Sequence, residues 1–279
     1  MKCFWFVAFV ILLLIAAGLW SVRTGLLEFG GFYSSSFKKG CEQQFYLPYP
    51  VLDGPLTSRT FSMSTAAFLM TVAYNVSISN CSNLGPFPVP PGSKKTTQID
   101  GYSSDGIKRM FAKVIEFPDV TIVAFTGTEF VDEFVMDFEG SQATPTEMTK
   151  YQQGVLVHSG FWSIYSSLRT SLLSAIGNSD VIITGHSLGG ALSTIASLDL
   201  PNVIATYTFA SPRVFNPLGA SLVNSFRTYN TEDIVPALPP AVFLEWEYAH
   251  PPTGGIPFTI SDLTVDANHV DAYLQFFGV

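Results

Sequence analysis

Charge is scarce in this chain. Lys, Arg, Asp and Glu make up 13% of its 279 residues, about half the usual share. Lys and Arg form no run, and the net charge is −8. Nucleic acid is therefore not expected as a partner, since phosphate neutralisation needs a basic stripe. Charge-driven docking on an anionic membrane is not expected either. Attraction to a lipid surface has to come from apolar side chains. Cysteine is nearly absent: Cys3, Cys41 and Cys81 are the whole set. Cys3 lies in an apolar leader, so Cys41 and Cys81 are the natural pair for one disulfide in an oxidising compartment. The alternative is two free buried thiols. There is no CxxC and no HExxH, and the four His are scattered. No metal site is expected, and nothing asks for a cofactor.

Apolar residues are plentiful. Hydrophobic residues reach 47% and aromatics 14%, with 24 Phe and 18 Pro. Such a chain can bury a large core, and its length suits one sizeable α/β domain. The N-terminus reads as a targeting segment. Lys2 gives a basic start, residues 4–15 are wholly apolar, and Ala16-Ala17-Gly18 offers small residues for cleavage. That is the layout of a signal peptide over residues 1–18. A competing reading is an uncleaved anchor over residues 3–20, a stretch of 18 residues without a charge, at the edge of spanning length. Either reading takes the remainder, a single domain over residues 24–279, out of the cytosol. Without the first 23 residues, 12 basic residues face 22 acidic ones, a net charge of −10. Two acceptor sequons, Asn75-Val-Ser and Asn80-Cys-Ser, stand beside Cys81 and are candidate glycan sites.

Hydrophobic periodicity supplies the elements. Residues 62–75 carry a helical stripe, Ala66, Leu69, Met70 and Ala73, with Ser64 as candidate cap. Residues 110–117 and 120–125 are apolar runs around Pro118-Asp119 and read as a strand–turn–strand pair. Residues 129–138 place Phe130, Phe134 and Phe138 four apart with Val131 and Val135 beside them, opposite Asp132, Glu133 and Asp137. That is an amphipathic helix. Residues 161–176 read as a second clear helix, and 203–209 and 225–229 as strands. A short helix over 271–277 ends the chain. Alternating strands and helices with buried strands indicate a mostly parallel sheet covered on both faces.

One stretch carries chemistry. Residues 181–184 are a β-branched run, Gly185-His186-Ser187-Leu188-Gly189 follows, and 188–200 has helical spacing. Strand, tight turn and helix are the context of a nucleophile elbow, with Ser187 at its tip. An unactivated serine is a weak nucleophile, so the motif asks for an acid and a His further along, in that order. Only His250 and His269 follow. His250 precedes Pro251-Pro252 in a rigid segment, whereas His269 sits on a loop before the last helix. His269 is the better mount for a base. Between the two, Asp233 follows a short strand, where active-site groups gather in α/β sheets. Glu232 is its neighbour, and Asp262 and Asp266 are rivals on the His side of the Pro-rich connection. For the oxyanion, the backbone N–H of Leu188 is one donor. Thr128, in the turn after 120–125, offers the second.

These residues, taken together, resemble the class 3 lipases, fungal-type triacylglycerol lipases with an α/β-hydrolase fold. The landmarks are Phe125-Thr126-Gly127-Thr128, Val157-His158-Ser159-Gly160-Phe161, the elbow through Ala191, Phe209-Ala210-Ser211-Pro212-Arg213, Asp233-Ile234-Val235-Pro236 and His269. Thr126 stands where the family usually has Arg, and Ala210-Ser211 where it usually has Gly-Gln; neither position does the chemistry. The resemblance implies Ser187, Asp233 and His269 as nucleophile, acid and base, with Thr128 and Leu188 as oxyanion donors. It places a lid helix at 129–138, with Phe130, Val131, Phe134, Val135 and Phe138 on its apolar face. His158 and His186 are structural in this reading. The implied activity is hydrolysis of lipid carboxylic esters by a secreted serine hydrolase at a lipid–water interface. A feruloyl-type or other non-lipid carboxylesterase and a phospholipase A1 share the same landmarks. An inactive lipid- or glycan-binding module is the reading from a different class.

Overall fold

The computed structural model describes residues 41, 44–103, 106–127, 140–262, 264 and 267–279. The leader, the oxyanion donor Thr128, the lid residues Phe130, Val131, Phe134, Val135 and Phe138, and the rival acid Asp266 lie outside the described residues. Residues 41–279 form one compact unit. Among the described residues no helix is long and apolar enough to cross a membrane.

The seven-stranded sheet is built from β1 (Lys95–Tyr102), β2 (Lys108–Glu116), β3 (Thr121–Phe125), β6 (Val181–His186), β7 (Val203–Phe209), β8 (Phe226–Asn230) and β11 (Gly255–Phe258). They lie in that spatial order, and β4 (Gln142–Ala143) and β5 (Val157–His158) form a separate antiparallel pair. The first three strands are antiparallel neighbours. From β3 onward every pairing is parallel. β3 and β6 are buried along their whole length, which is why they read as continuous apolar runs without alternation.

Each face of the sheet is covered. Side chains alternate along a strand, so Val123, Phe125 and Ile183 meet one layer and Ile122, Ala124 and Ile182 the other. The first layer is α2 (Ser159–Ile176) and α3 (Leu188–Asp199), packed through Phe161, Tyr165, Leu168, Leu192 and Ile195. The second is α1 (Met63–Ile78) and the terminal α5 (Ala272–Phe277), packed through Leu69, Met70, Val76 and Tyr273. A short α4 (Pro217–Leu222) precedes β8. The expected cap of α1 shifts by two residues: the side chain of Ser62, not Ser64, accepts from the Thr65 N–H. Ser64 instead donates to Asp53.

The loop before α1 is tied down by a Cys41–Cys81 disulfide spanning 40 residues. Closing a loop of that length contributes about 4 kcal/mol through the entropy of the unfolded chain. The glycan expectation divides. Asn80 is exposed. Asn75 is fully buried, and its amide accepts from the Leu47 N–H at 2.8 Å and donates to the Leu47 carbonyl at 2.9 Å. A glycan on Asn75 has no exit and would break both bonds, so that expectation is corrected.

Candidate active site

The elbow forms as its glycines require. β6 ends at His186, Ser187 adopts φ +58°, and α3 starts at Leu188. A left-handed φ is costly for a residue with a side chain, and here it turns the chain between strand and helix. A Cβ on Gly185 would lie 2.2 Å from the Gly189 carbonyl oxygen, so the turn closes only with glycine there. Ser187 thereby becomes the N-cap of α3, with its side chain accepting no cap bond. The Leu188 N–H belongs to the first turn of that helix, whose N–H groups lack intrahelical partners and carry partial positive charge.

The acid and the base meet. Asp233 follows β8 and His269 sits in a π-helical turn, Ala267–Asp271, leading into α5. Such turns recur at functional sites. His269 Nδ1 is 2.8 Å from Asp233 Oδ2, and both side chains are fully buried. The Tyr273 hydroxyl donates to the same carboxylate oxygen at 2.9 Å and itself accepts from the Asn230 N–H at 3.0 Å. The Val235 N–H donates to Asp233 Oδ1 at 3.0 Å. Asp233 is thus held as an acceptor by three donors, and the bond through Nδ1 turns His269 Nε2 outward from the pair. Burial and the facing Asp233 charge push the Tyr273 phenol well above its ordinary range, so it stays a donor.

Ser187 stands close to this pair through its neighbour. The His186 ring lies 4.6 Å from the His269 ring, and His186 Nε2 donates to the His269 carbonyl at 2.7 Å. Burial, then repulsion from His269, holds His186 well below its ordinary pKa, so this tether is a neutral imidazole. Two polar atoms at the centre remain buried without hydrogen-bond partners: Ser187 Oγ and His269 Nε2. They are two of nine such side-chain atoms among the described residues, and a catalytic role is one of the explanations that a buried orphan calls for. The serine–histidine hydrogen bond of a resting triad is often long and closes only with substrate.

The loop after β3 reaches the nucleophile. A Cβ on Gly127 would lie 3.8 Å from Ser187 Cβ and 3.2 Å from the His186 carbonyl oxygen. Ser77, in the last turn of α1, accepts from the Gly127 N–H at 2.8 Å and donates to the Ala73 carbonyl at 2.8 Å. Ser77 therefore fixes the strand end from which Thr128 departs. Residue patterns did not reveal Ser77, because its partner is 50 positions away. Tyr273 had a readable signal: it is four residues after His269 and so shares its side of the terminal helical segment.

His250 and Asp262 take no part in this cluster. His250 is mostly buried, donates from Nε2 to the Pro236 carbonyl at 2.7 Å, and is lowered to about 3 by burial and then by Arg227. The Asp262 N–H donates to the Asn268 side chain, which buttresses the segment carrying His269. The two neutral imidazoles give a pH prediction. An unfolded His titrates near 6.5, and His250 in the fold near 3, so the unfolded chain binds more protons across that window. Stability is full above about pH 6.5 and falls as pH drops through it, by ~1.4 kcal/mol per unit for each such His. At pH 5 His250 alone costs about 2 kcal/mol. Urea midpoints at pH 7 and pH 5 check this: His250→Gln, which keeps a donor for Pro236, should lose about 2 kcal/mol less than the parent over that interval.

The mostly parallel sheet, its flanking helices and the serine elbow are those of the α/β-hydrolase fold. Residues 122–243 match the family profile described as lipase (class 3). It is 32% identical over 145 residues to the secreted mono- and diacylglycerol lipase A of Penicillium cyclopium, covering 46% of this chain and 45% of that one. It is 37% identical over 111 residues to a lipase of Rhizopus niveus, covering 33% and 28%. The chain thus spans less than half the length of these curated relatives. The Lip2 lipase of Yarrowia lipolytica shares the fold, with a TM-score of 0.51 at 18% identity, covering 69% of this chain and 78% of that one.

Proposed function

We propose that this chain is a secreted serine ester hydrolase acting on acylglycerols through an acyl-enzyme. The observation that carries the proposal is the buried pair of unpartnered atoms, Ser187 Oγ and His269 Nε2, beside an imidazole already oriented by Asp233. The ester carbonyl carbon is attacked by Ser187 Oγ while His269 Nε2 accepts its proton. The oxyanion is held by the Leu188 N–H and by Thr128. Imidazolium forms against Asp233, and its Nε2 proton then passes to the leaving alcohol. Water activated by the same nitrogen releases the fatty acid and restores Ser187. The residues call for no metal, and among the described residues no acidic, His or Cys cluster could hold one.

Acylglycerols are favoured as substrates because the aligned relative is named a mono- and diacylglycerol lipase, and secretion because it is named as secreted and the chain holds a disulfide. The test is a chain-length profile of ester hydrolysis, including diolein and triolein, for wild type and Ser187→Ala. Wild-type activity on long-chain acylglycerols, absent in the variant, supports the reading. A rate confined to short aromatic esters would reassign the substrate.

Ser77 gives a smaller prediction. Removing its hydroxyl leaves the Gly127 N–H without a partner and frees the loop bearing Thr128. A misplaced oxyanion donor costs about 10- to 100-fold. Ser77→Ala should lower kcat on a soluble ester by about 10-fold, with KM little changed. Equal losses in both parameters, or no loss, would remove Ser77 from the account.

A further inference from the structure

After β8 the chain forms a short antiparallel hairpin, β9 (Val242–Phe243) and β10 (Trp246–Glu247), joined by Leu244 and Glu245. Its base is fixed. The Phe243 ring packs directly over Gly140, Gln142 Nε2 donates to the Glu247 carbonyl at 2.7 Å, and the Tyr248 hydroxyl donates to the Gly140 carbonyl at 2.9 Å. Phe243 and Trp246, which pair across the hairpin, are half-buried. Its tip is the reverse. Val242 is 67% exposed and Leu244 is 83% exposed. Leu244 also has φ +55°. The first position of a two-residue hairpin loop with positive φ is normally glycine, and a branched apolar residue there is strained. Leu244 is thus unfavourable twice over for the folded chain in water, once through its backbone and once through its exposure. Neither cost has a return among the described residues. Strain and exposure at one residue point to a contact outside it.

Topology places that contact. The hairpin leaves the C-terminal end of β8 and rests on residues 140–142, which follow the C-terminal end of β3. Ser187 stands at the C-terminal end of β6, parallel to both sides of the sheet. Both of these connections start from the C-terminal ends of their strands, the side of the sheet on which Ser187 stands. The charges carried by the hairpin itself are acidic: Glu245 and Glu247 are exposed on it, in a chain of net charge −8. An anionic surface would repel it.

We propose that Val242 and Leu244 form an anchor that seats the protein on an uncharged ester-lipid surface, with the catalytic edge facing that surface. This rests on the acylglycerol hydrolase reading above. Adsorption can nonetheless be measured without catalysis. Full-length Ser187→Ala protein is floated with a triolein–phosphatidylcholine emulsion, and with the same emulsion doped with phosphatidylglycerol. The Leu244→Gly substitution is added to the same background. Glycine suits the positive φ, so the melting temperature should hold or rise. Adsorption to the uncharged emulsion should fall by about 10-fold or more, the loss expected for one leucine side chain leaving an apolar phase. Doping with phosphatidylglycerol should weaken adsorption of the Ser187→Ala parent. With Ser187 intact, Leu244→Gly should hydrolyse a soluble short-chain ester within about twofold of wild type. Undiminished adsorption of Leu244→Gly, or equal adsorption to both emulsions, would overturn the anchor. A loss on the soluble ester as large as that on the emulsion would overturn it too. If wild type hydrolyses no ester while adsorption follows the expected pattern, the hydrolase reading fails and the anchor stands.

Discussion

Ser187→Ala is expected to lower kcat on a soluble short-chain ester by about 10⁵-fold, with a residual rate above that in water from the oxyanion donors alone. The size of the loss follows from what the hydroxyl does. It supplies the attacking atom and the proton that His269 Nε2 accepts. The fold should not suffer. Ser187 Oγ makes no hydrogen bond, so alanine breaks none, and it removes a buried polar atom that lacks a partner. The strained φ of +58° is unchanged by the substitution. Rate and melting temperature measured on the same preparation separate chemistry from folding. A variant that melts like wild type and keeps more than about one hundredth of the rate would take the nucleophile away from Ser187.

Asp233→Asn should be nearly as damaging, with kcat falling by about 10³- to 10⁴-fold. The geometry says why an isosteric amide is a poor replacement. Asp233 Oδ2 accepts from His269 Nδ1 and from the Tyr273 hydroxyl, and Oδ1 accepts from the Val235 N–H. All three partners approach as donors. An amide NH₂ must face at least one of them. If it faces His269, the imidazole turns to the tautomer whose Nε2 carries the proton and cannot accept one from Ser187. Tyr273→Phe, by contrast, removes one donor and leaves the His269–Asp233 bond intact. It should cost about 10-fold or less. Asp233→Asn within tenfold of wild type, or Tyr273→Phe the more damaging of the two, would contradict the roles assigned here.

The sheet and its helices were legible because burial in this fold writes a pattern. β3, β6 and β7 are apolar runs of five to seven residues, and α2 carries an apolar stripe. β1 was not legible. Its sequence, Lys-Thr-Thr-Gln-Ile-Asp-Gly-Tyr, buries little beyond Ile99 and Gly101, and it becomes a strand by pairing with β2 at the sheet edge. The elbow and the acid–base order were legible because a tight turn needs glycine and a serine needs partners. The residues that hold those partners were not. Ser77 and Asn230 act through bonds across 50 and 43 positions, and nothing in local spacing records them; Tyr273 left a local trace in its place four residues after His269, although its bond to Asp233 spans 40 positions. Asn75 shows the opposite error: a sequon is three letters, and burial overrules it.

The central claim is that Ser187 is an activated nucleophile served by His269 and Asp233. The most direct measurement is covalent labelling with a serine-reactive alkyl p-nitrophenyl phosphonate, read by intact mass and peptide mapping. The account predicts one phosphonyl adduct per chain, located on Ser187. It should be absent from Ser187→Ala and formed at least about 10³-fold more slowly in Asp233→Asn. An adduct on another residue, or labelling of Asp233→Asn at the wild-type rate, would contradict it.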